Sequence, residues 1–137
     1  MIPVYQTIEG EKGDCFRACL ASLFDFKIEQ VPNFFDTSNE TELWWKAVRD
    51  WLRPLGFGIM SLETKDKLYL SLFEGYFIVC GKTFKGLDHA TIWKNGEMVH
   101  DPHYSGLGLD TIEYIDILYP LNPATFTIGV TSCINSL

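Results

Sequence analysis

The hydrophobic pattern of this chain changes period once, between Pro54 and Gly56, and that change limits the folds open to it. Before it, apolar residues recur at helical spacing; from Phe57 onward they follow a strand pattern. A first helix is predicted from Cys15 to Phe24 with Asp14 as its N-cap, and Ala18, Leu20, Ala21 and Leu23 make it a mostly buried one. Pro32 interrupts, and the stretch to Asn39 reads as a loop or a single turn. A second helix is capped by Ser38 or Thr41, carries Glu40 and Glu42 in its first turn, and presents Leu43, Trp44, Ala47, Val48, Trp51 and Leu52 as its apolar stripe. Pro54 and Gly56 stop it. Strands are expected at Gly58–Leu62, Tyr76–Gly81, Ala90–Trp93, Met98–Asp101 and Ile115–Leu121, with Phe126–Val130 as an edge. Lys65–Phe73 reads either as a short helix or as a loop. Helices first and antiparallel strands after give an α+β class, with N-terminal helices packed on an antiparallel β-sheet. No repeat or linker divides residues 1–137, so one domain is expected.

Composition narrows the function classes. With 137 residues, 47% of them hydrophobic and 15% aromatic, the chain can bury a core. A net charge of −7 without any lysine- or arginine-rich block argues against a nucleic-acid surface. No apolar run reaches membrane-spanning length and no leader is visible, so cytoplasmic residence is expected, with no membrane partner. The cysteines at positions 15, 19, 80 and 133 make no dense disulfide framework, and reduced thiols fit that compartment.

The chemistry centres on Gly13-Asp14-Cys15-Phe16-Arg17-Ala18-Cys19. It puts a thiol at a helix start, where unpaired backbone N–H groups and the helix dipole favour a thiolate, the nucleophilic form. His89 in Leu87-Asp88-His89-Ala90 and Asp101 in His100-Asp101-Pro102 follow on later strands. Cysteine, histidine and aspartate in this order suit a nucleophile, a proton shuttle and a group that orients the imidazole. The backbone N–H of Cys15 is one candidate oxyanion donor, and Gln6 is the nearest upstream amide side chain.

The hairpin between the last two of these segments sets their relation. If Asn95-Gly96 forms a two-residue turn, Asp101 falls opposite Ala90, and His89 and Asp101 point to opposite faces. If Lys94-Asn95-Gly96 forms a bulged three-residue loop, Asp101 falls directly opposite His89. The catalytic reading therefore predicts the bulged loop.

Asp14-Cys15-x-x-Ala18-Cys19-Leu20-Ala21 resembles the Asp-Cys-Gly-x-Ala-Cys-Leu pattern of C39-type peptidases in the papain-like cysteine peptidase superfamily. The apolar segment after His89 and the pair Asp101-Pro102 are similar too. The resemblance implies a papain-like fold across the chain, small bacterial and phage proteins as its kin, and a Cys15–His89–Asp101 triad that cleaves or transfers acyl groups. Peptidase, isopeptidase and deamidase chemistry use the same constellation on a peptide or protein substrate and need no metal or organic cofactor. Two departures stand out. Phe16 replaces the family's glycine after the cysteine. Gln6 lies nine residues before Cys15, farther than the family's glutamine, so it reaches the oxyanion site only if Gly10–Gly13 loops out.

A rival reading is a non-catalytic interaction protein on the same scaffold, such as a phage or bacterial factor that binds and inhibits a host protein. A Cys15–His89 separation near hydrogen-bond reach, opening on a groove, favours the enzyme, and a buried Cys15 without a cleft favours the binder. Cys19 and Cys80 read as core, and Cys133 as tail. His100 and His103 bracket Asp101, yet their spacing with Cys15 and Cys19 suits no common zinc finger. Trp44, Trp45 and Trp51 read as core and groove wall.

Overall fold

The computed structural model describes residues 1–36, 40–64 and 67–126. Helix α1 spans Cys15–Leu23 and α2 spans Thr41–Leu52. Among the described residues five strands follow: β1 (Phe57–Glu63), β2 (Tyr76–Lys82), β3 (Asp88–Lys94), β4 (Glu97–His100) and β5 (Thr111–Pro120). They form one antiparallel sheet in the order β1-β5-β2-β3-β4. The α+β class is therefore as expected. The segment read as helix or loop holds a 3-10 helix over Lys67–Leu72. Phe126 ends another, over Pro123–Phe126, and residues 127–130 of the expected edge strand lie outside the described residues.

Helix α1 is the centre of the packing. Phe16, Ala18, Cys19, Leu20, Ala21 and Ser22 are all buried, and the helix lies on β3. Its apolar face meets Val48 and Leu52 of α2 and Ile78, Ala90 and Ile92 of the sheet in one core cluster. The opposite sheet face buries Phe77, Val79 and Ile115 under Leu70. Helix α1 ends where Asp25 takes a left-handed φ of 54°, with Phe26 N–H donating to the Ala21 carbonyl in a Schellman-type closure. Pro54 and Gly56 stop α2 as expected: a 3-10 turn over Arg53–Leu55 follows it, and Gly56 adopts a φ of 88°.

Asp14 occupies the N-cap position of α1 but makes no capping hydrogen bond, contrary to expectation. Its carboxylate turns away from the helix to accept from the Thr7 and Ile8 backbone N–H groups at 2.7 and 2.8 Å and from Thr7 Oγ1 at 2.6 Å. Two peptide donors and a hydroxyl outside the helix outbid the cap. Helix α2 likewise starts without a side-chain cap, at Glu40; Thr41 is its first helical residue and Ser38 lies outside the described residues.

The Asn95-Gly96 hairpin corrects a second expectation. Lys94 pairs with Glu97 and Trp93 with Met98, so the loop holds two residues and not three. Asn95 and Gly96 both have positive φ, 54° and 79°, as a type I′ turn requires. The extra residue enters further along, where pairing jumps to Ile92–His100 and leaves Val99 as a bulge. One inserted residue exchanges the faces that the rest of the strand presents. That exchange lets Asp101 meet His89 without a longer loop. Asp101 itself lies just beyond β4, where its side chain accepts from the His103 and Gly108 N–H groups and turns the chain out of the sheet.

Gly81 sits where the pairing of β2 with β5 shifts register. A Cβ at this position would collide with the Thr111 carbonyl oxygen. Gly81→Ala is expected to cost about 2 kcal/mol, because two paired backbones must separate to admit it. A urea titration checks this: the midpoint should fall with the slope unchanged. An unaltered midpoint would mean that the two strands can part freely.

Candidate active site

A cleft of about 600 Å³ opens between the helical half and the sheet. Gly10–Gly13, the start of α1, and Trp44 and Trp45 of α2 form one wall; β1, β2, β3 and β5 form the other. Cys15 and His89 both line it. Cys15 is the first residue of α1 and half-buried, so its thiol sits among the N–H groups that have no intrahelical acceptor.

His89 is brought to Cys15 from the start of β3. Its Nε2 lies 2.7 Å from Asp101 Oδ1, and both residues are buried. Cys15 lies near enough to the imidazole to favour its charged form. With Nε2 committed to Asp101, Nδ1 is the ring nitrogen left to face the thiol. Burial pulls the His89 pKa down, but Asp101 and Cys15 outweigh it and raise the value to about 9. Burial opposes ionisation of Asp101 as well, yet the His89 ring and the N–H groups of His103 and Gly108 hold its carboxyl below the ordinary carboxylate value. At neutral pH His89 is therefore an imidazolium between a carboxylate and the Cys15 sulfur.

The leading segment does more than the sequence suggests. Gly10–Gly13 loops out: Gly13 N–H donates to the Gly10 carbonyl, and Asp14 N–H to the Ile8 carbonyl, closing the loop. Gln6 is thereby folded back to the start of α1. Its backbone N–H donates to the Pro102 carbonyl at 3.0 Å and its side-chain Nε2 to the Ile8 carbonyl at 3.1 Å. Gln6 is not among the residues lining the cleft, and one amide N–H is spent on Ile8.

His100 and His103 do not converge with Cys15 and Cys19 on a metal site. His100 Nε2 donates to the Val4 carbonyl at 2.7 Å and thereby pins the leading segment, while His103 bonds Glu9 and Ser105. Among the described residues, no group of three or more histidine, cysteine or acidic side chains is placed to hold a metal ion. Cys19 is fully buried, and burial raises its thiol well above the ordinary value. Trp44 and Trp45 line the cleft, whereas Trp51 packs against Phe24 and Phe34.

Cys80, which reads as core in the sequence, packs against the core and also reaches the cleft, and Asp116 carries no role in the sequence reading. Both line the cleft, and Cys80 Sγ donates to Asp116 Oδ2 at 3.3 Å. Asp116 is 2% exposed; burial raises its carboxyl above the ordinary value, and the nearby Ser61 hydroxyl and the Cys80 thiol only partly offset this. A signal existed: Asp116 stands between Ile115 and Ile117 in an otherwise apolar strand segment.

Among the described residues no helix is long and apolar enough to cross a membrane. The chain matches no family model, and no match was found among curated proteins or solved structures.

Proposed function

We propose that this protein is a thiol hydrolase or acyl-transfer enzyme with a papain-like arrangement, acting on peptide or protein substrates. One observation carries the reading: a half-buried thiol at a helix start and a buried imidazole line the same open cleft, and a buried carboxylate holds that imidazole at 2.7 Å.

The Cys15 thiolate adds to the carbonyl carbon of an amide, forming a C–S bond and an oxyanion. The backbone N–H of Cys15, at the start of α1, is the candidate donor to that oxyanion. Collapse of the intermediate breaks the C–N bond, and the leaving amine takes its proton from the His89 imidazolium. Water then attacks the thioester, gives a proton to His89 and releases the acid, restoring the thiolate. An amine in place of water completes acyl transfer. Asp101 keeps Nδ1 aimed at the sulfur and stabilises the charged ring.

Iodoacetamide alkylation, mapped to individual cysteines by mass spectrometry, tests the reading. Cys15 should label rapidly at about pH 6, while Cys19 is protected by burial and Cys80 is slow because its thiol is held well above the ordinary value. An ordinary thiol is only about 0.3% thiolate at that pH, so His89→Ala is expected to slow labelling on the order of 100-fold. Labelling that waits until about pH 8.5 and ignores the substitution would leave an ordinary cysteine. The interaction-protein reading would then replace catalysis.

A further inference from the structure

We infer that the sheet side of the cleft is a pocket for a cationic side chain, lysine or arginine, with Asp116 as its specificity-determining residue. This deepens the thiol-enzyme reading by naming the substrate class of the same site. Asp116 Oδ1 is buried and has no hydrogen-bond partner among the described residues, although the residue lines the cleft. Such an oxygen bears a desolvation cost that a bound donor removes. Its neighbours favour a cation over other donors. Glu11, Asp88 and Glu113 also line the cleft; of the two basic residues there, Lys82 is held by Asp88 at 2.6 Å and His89 by Asp101 at 2.7 Å. An incoming ammonium or guanidinium therefore meets uncompensated negative charge. The facing wall supplies the indoles of Trp44 and Trp45, which suit both an alkyl stem and a cation above a ring face. A carboxylate ligand would be repelled by the same surroundings. A primary amide could hydrogen-bond Asp116 but would gain nothing from the surplus charge.

The test uses dipeptidyl vinyl sulfones that vary one side chain among lysine, arginine, norleucine and glutamine, scanned at each position, with Cys15 adducts timed by intact mass. At one position lysine or arginine is expected to react about tenfold or more faster than norleucine, the preference a charge-assisted contact confers. Asp116→Asn keeps the side-chain size and should bring that ratio close to one. Glutamine outpacing lysine, the absence of any preference, or a ratio that Asp116→Asn leaves intact would each overturn the proposal. If Asp116→Asn does not fold, the wild-type ratio decides alone. If no vinyl sulfone labels wild-type Cys15, the thiol-enzyme reading fails by itself, and the pocket is judged separately. Cys15→Ser protein is then titrated with Nα-acetyl-lysine methylamide and its norleucine counterpart, followed by tryptophan fluorescence. Lysine-selective binding upholds the pocket; equal binding or none overturns it.

Discussion

In Asp101→Asn protein, His89 is expected to titrate well below the value of about 9 that it has beside the carboxylate, moving back toward 6.5. The substitution removes the negative charge 2.7 Å from Nε2 and leaves burial, which disfavours the imidazolium, less opposed. The loss extends to the backbone. Asp101 Oδ1 accepts from the His103 N–H and Oδ2 from the Gly108 N–H, and an asparagine amide can serve only one of these two roles. Breaking one member of such a buried pair costs about 3 kcal/mol. The pH dependence has a definite sign. His89 has a raised folded value, so its contribution is complete below 6.5 and disappears as pH climbs through about 9. Asp101 has a lowered one, so its contribution holds above 3.8 and disappears as pH falls through the depressed value. Wild-type stability from this pair should thus be greatest between those two ordinary values, and the substituted protein should lose that plateau. Histidine NMR titration together with urea midpoints across pH reads both effects. A His89 titration unmoved by the substitution would sink the account.

Asp14→Ala is expected to destabilise the protein by about 3 kcal/mol, although the residue makes no cap. Alanine leaves the Thr7 and Ile8 N–H groups without the acceptor they now share and removes the 2.6 Å bond from Thr7 Oγ1, part-buried hydrogen bonds to a charged group worth at most roughly 1.5–3 kcal/mol each. Arg17, 3.4 Å from Oδ2, adds a partly buried ion pair. Burial opposes ionisation of Asp14, but these hydrogen bonds and Arg17 keep its carboxyl below the ordinary value. Amide hydrogen exchange at Thr7 and Ile8 should accelerate sharply in the variant, alongside a lower urea midpoint. The loss of a mere helix cap would leave those two amides as slow as before. Since the same anchor folds Gln6 back toward α1, labelling or turnover at Cys15 should also suffer.

How far the sequence reached depends on the range of the interaction. Both helices, the five strands and their antiparallel class follow from local periodicity, and the bounds differ by a few residues at most. The exception is β5, which begins at Thr111 and not Ile115; its first residues are held by β2 across a register shift that no local pattern encodes. Asp14 was read as a cap because its position relative to α1 is the capping position, yet its partners lie on a loop closed by Gly10–Gly13. The approach of His89 to Asp101 was anticipated, but through the wrong device. Asn95-Gly96 alone specifies a two-residue turn, and the bulge at Val99 that supplies the missing residue carries no sequence mark. Asp116 escaped notice because its meaning lies in Cys80 and Ser61, which other strands bring to it.

The strand order has a consequence for how the protein is made. Because β5 lies between β1 and β2, those two strands have no common neighbour until residues 111–120 leave the ribosome. Cys15, His89 and Asp101 are all synthesised earlier, yet Glu113, Tyr114 and Asp116 of the cleft wall come from that last strand. A nascent chain therefore carries Cys15 and His89 before the wall of the cleft is complete.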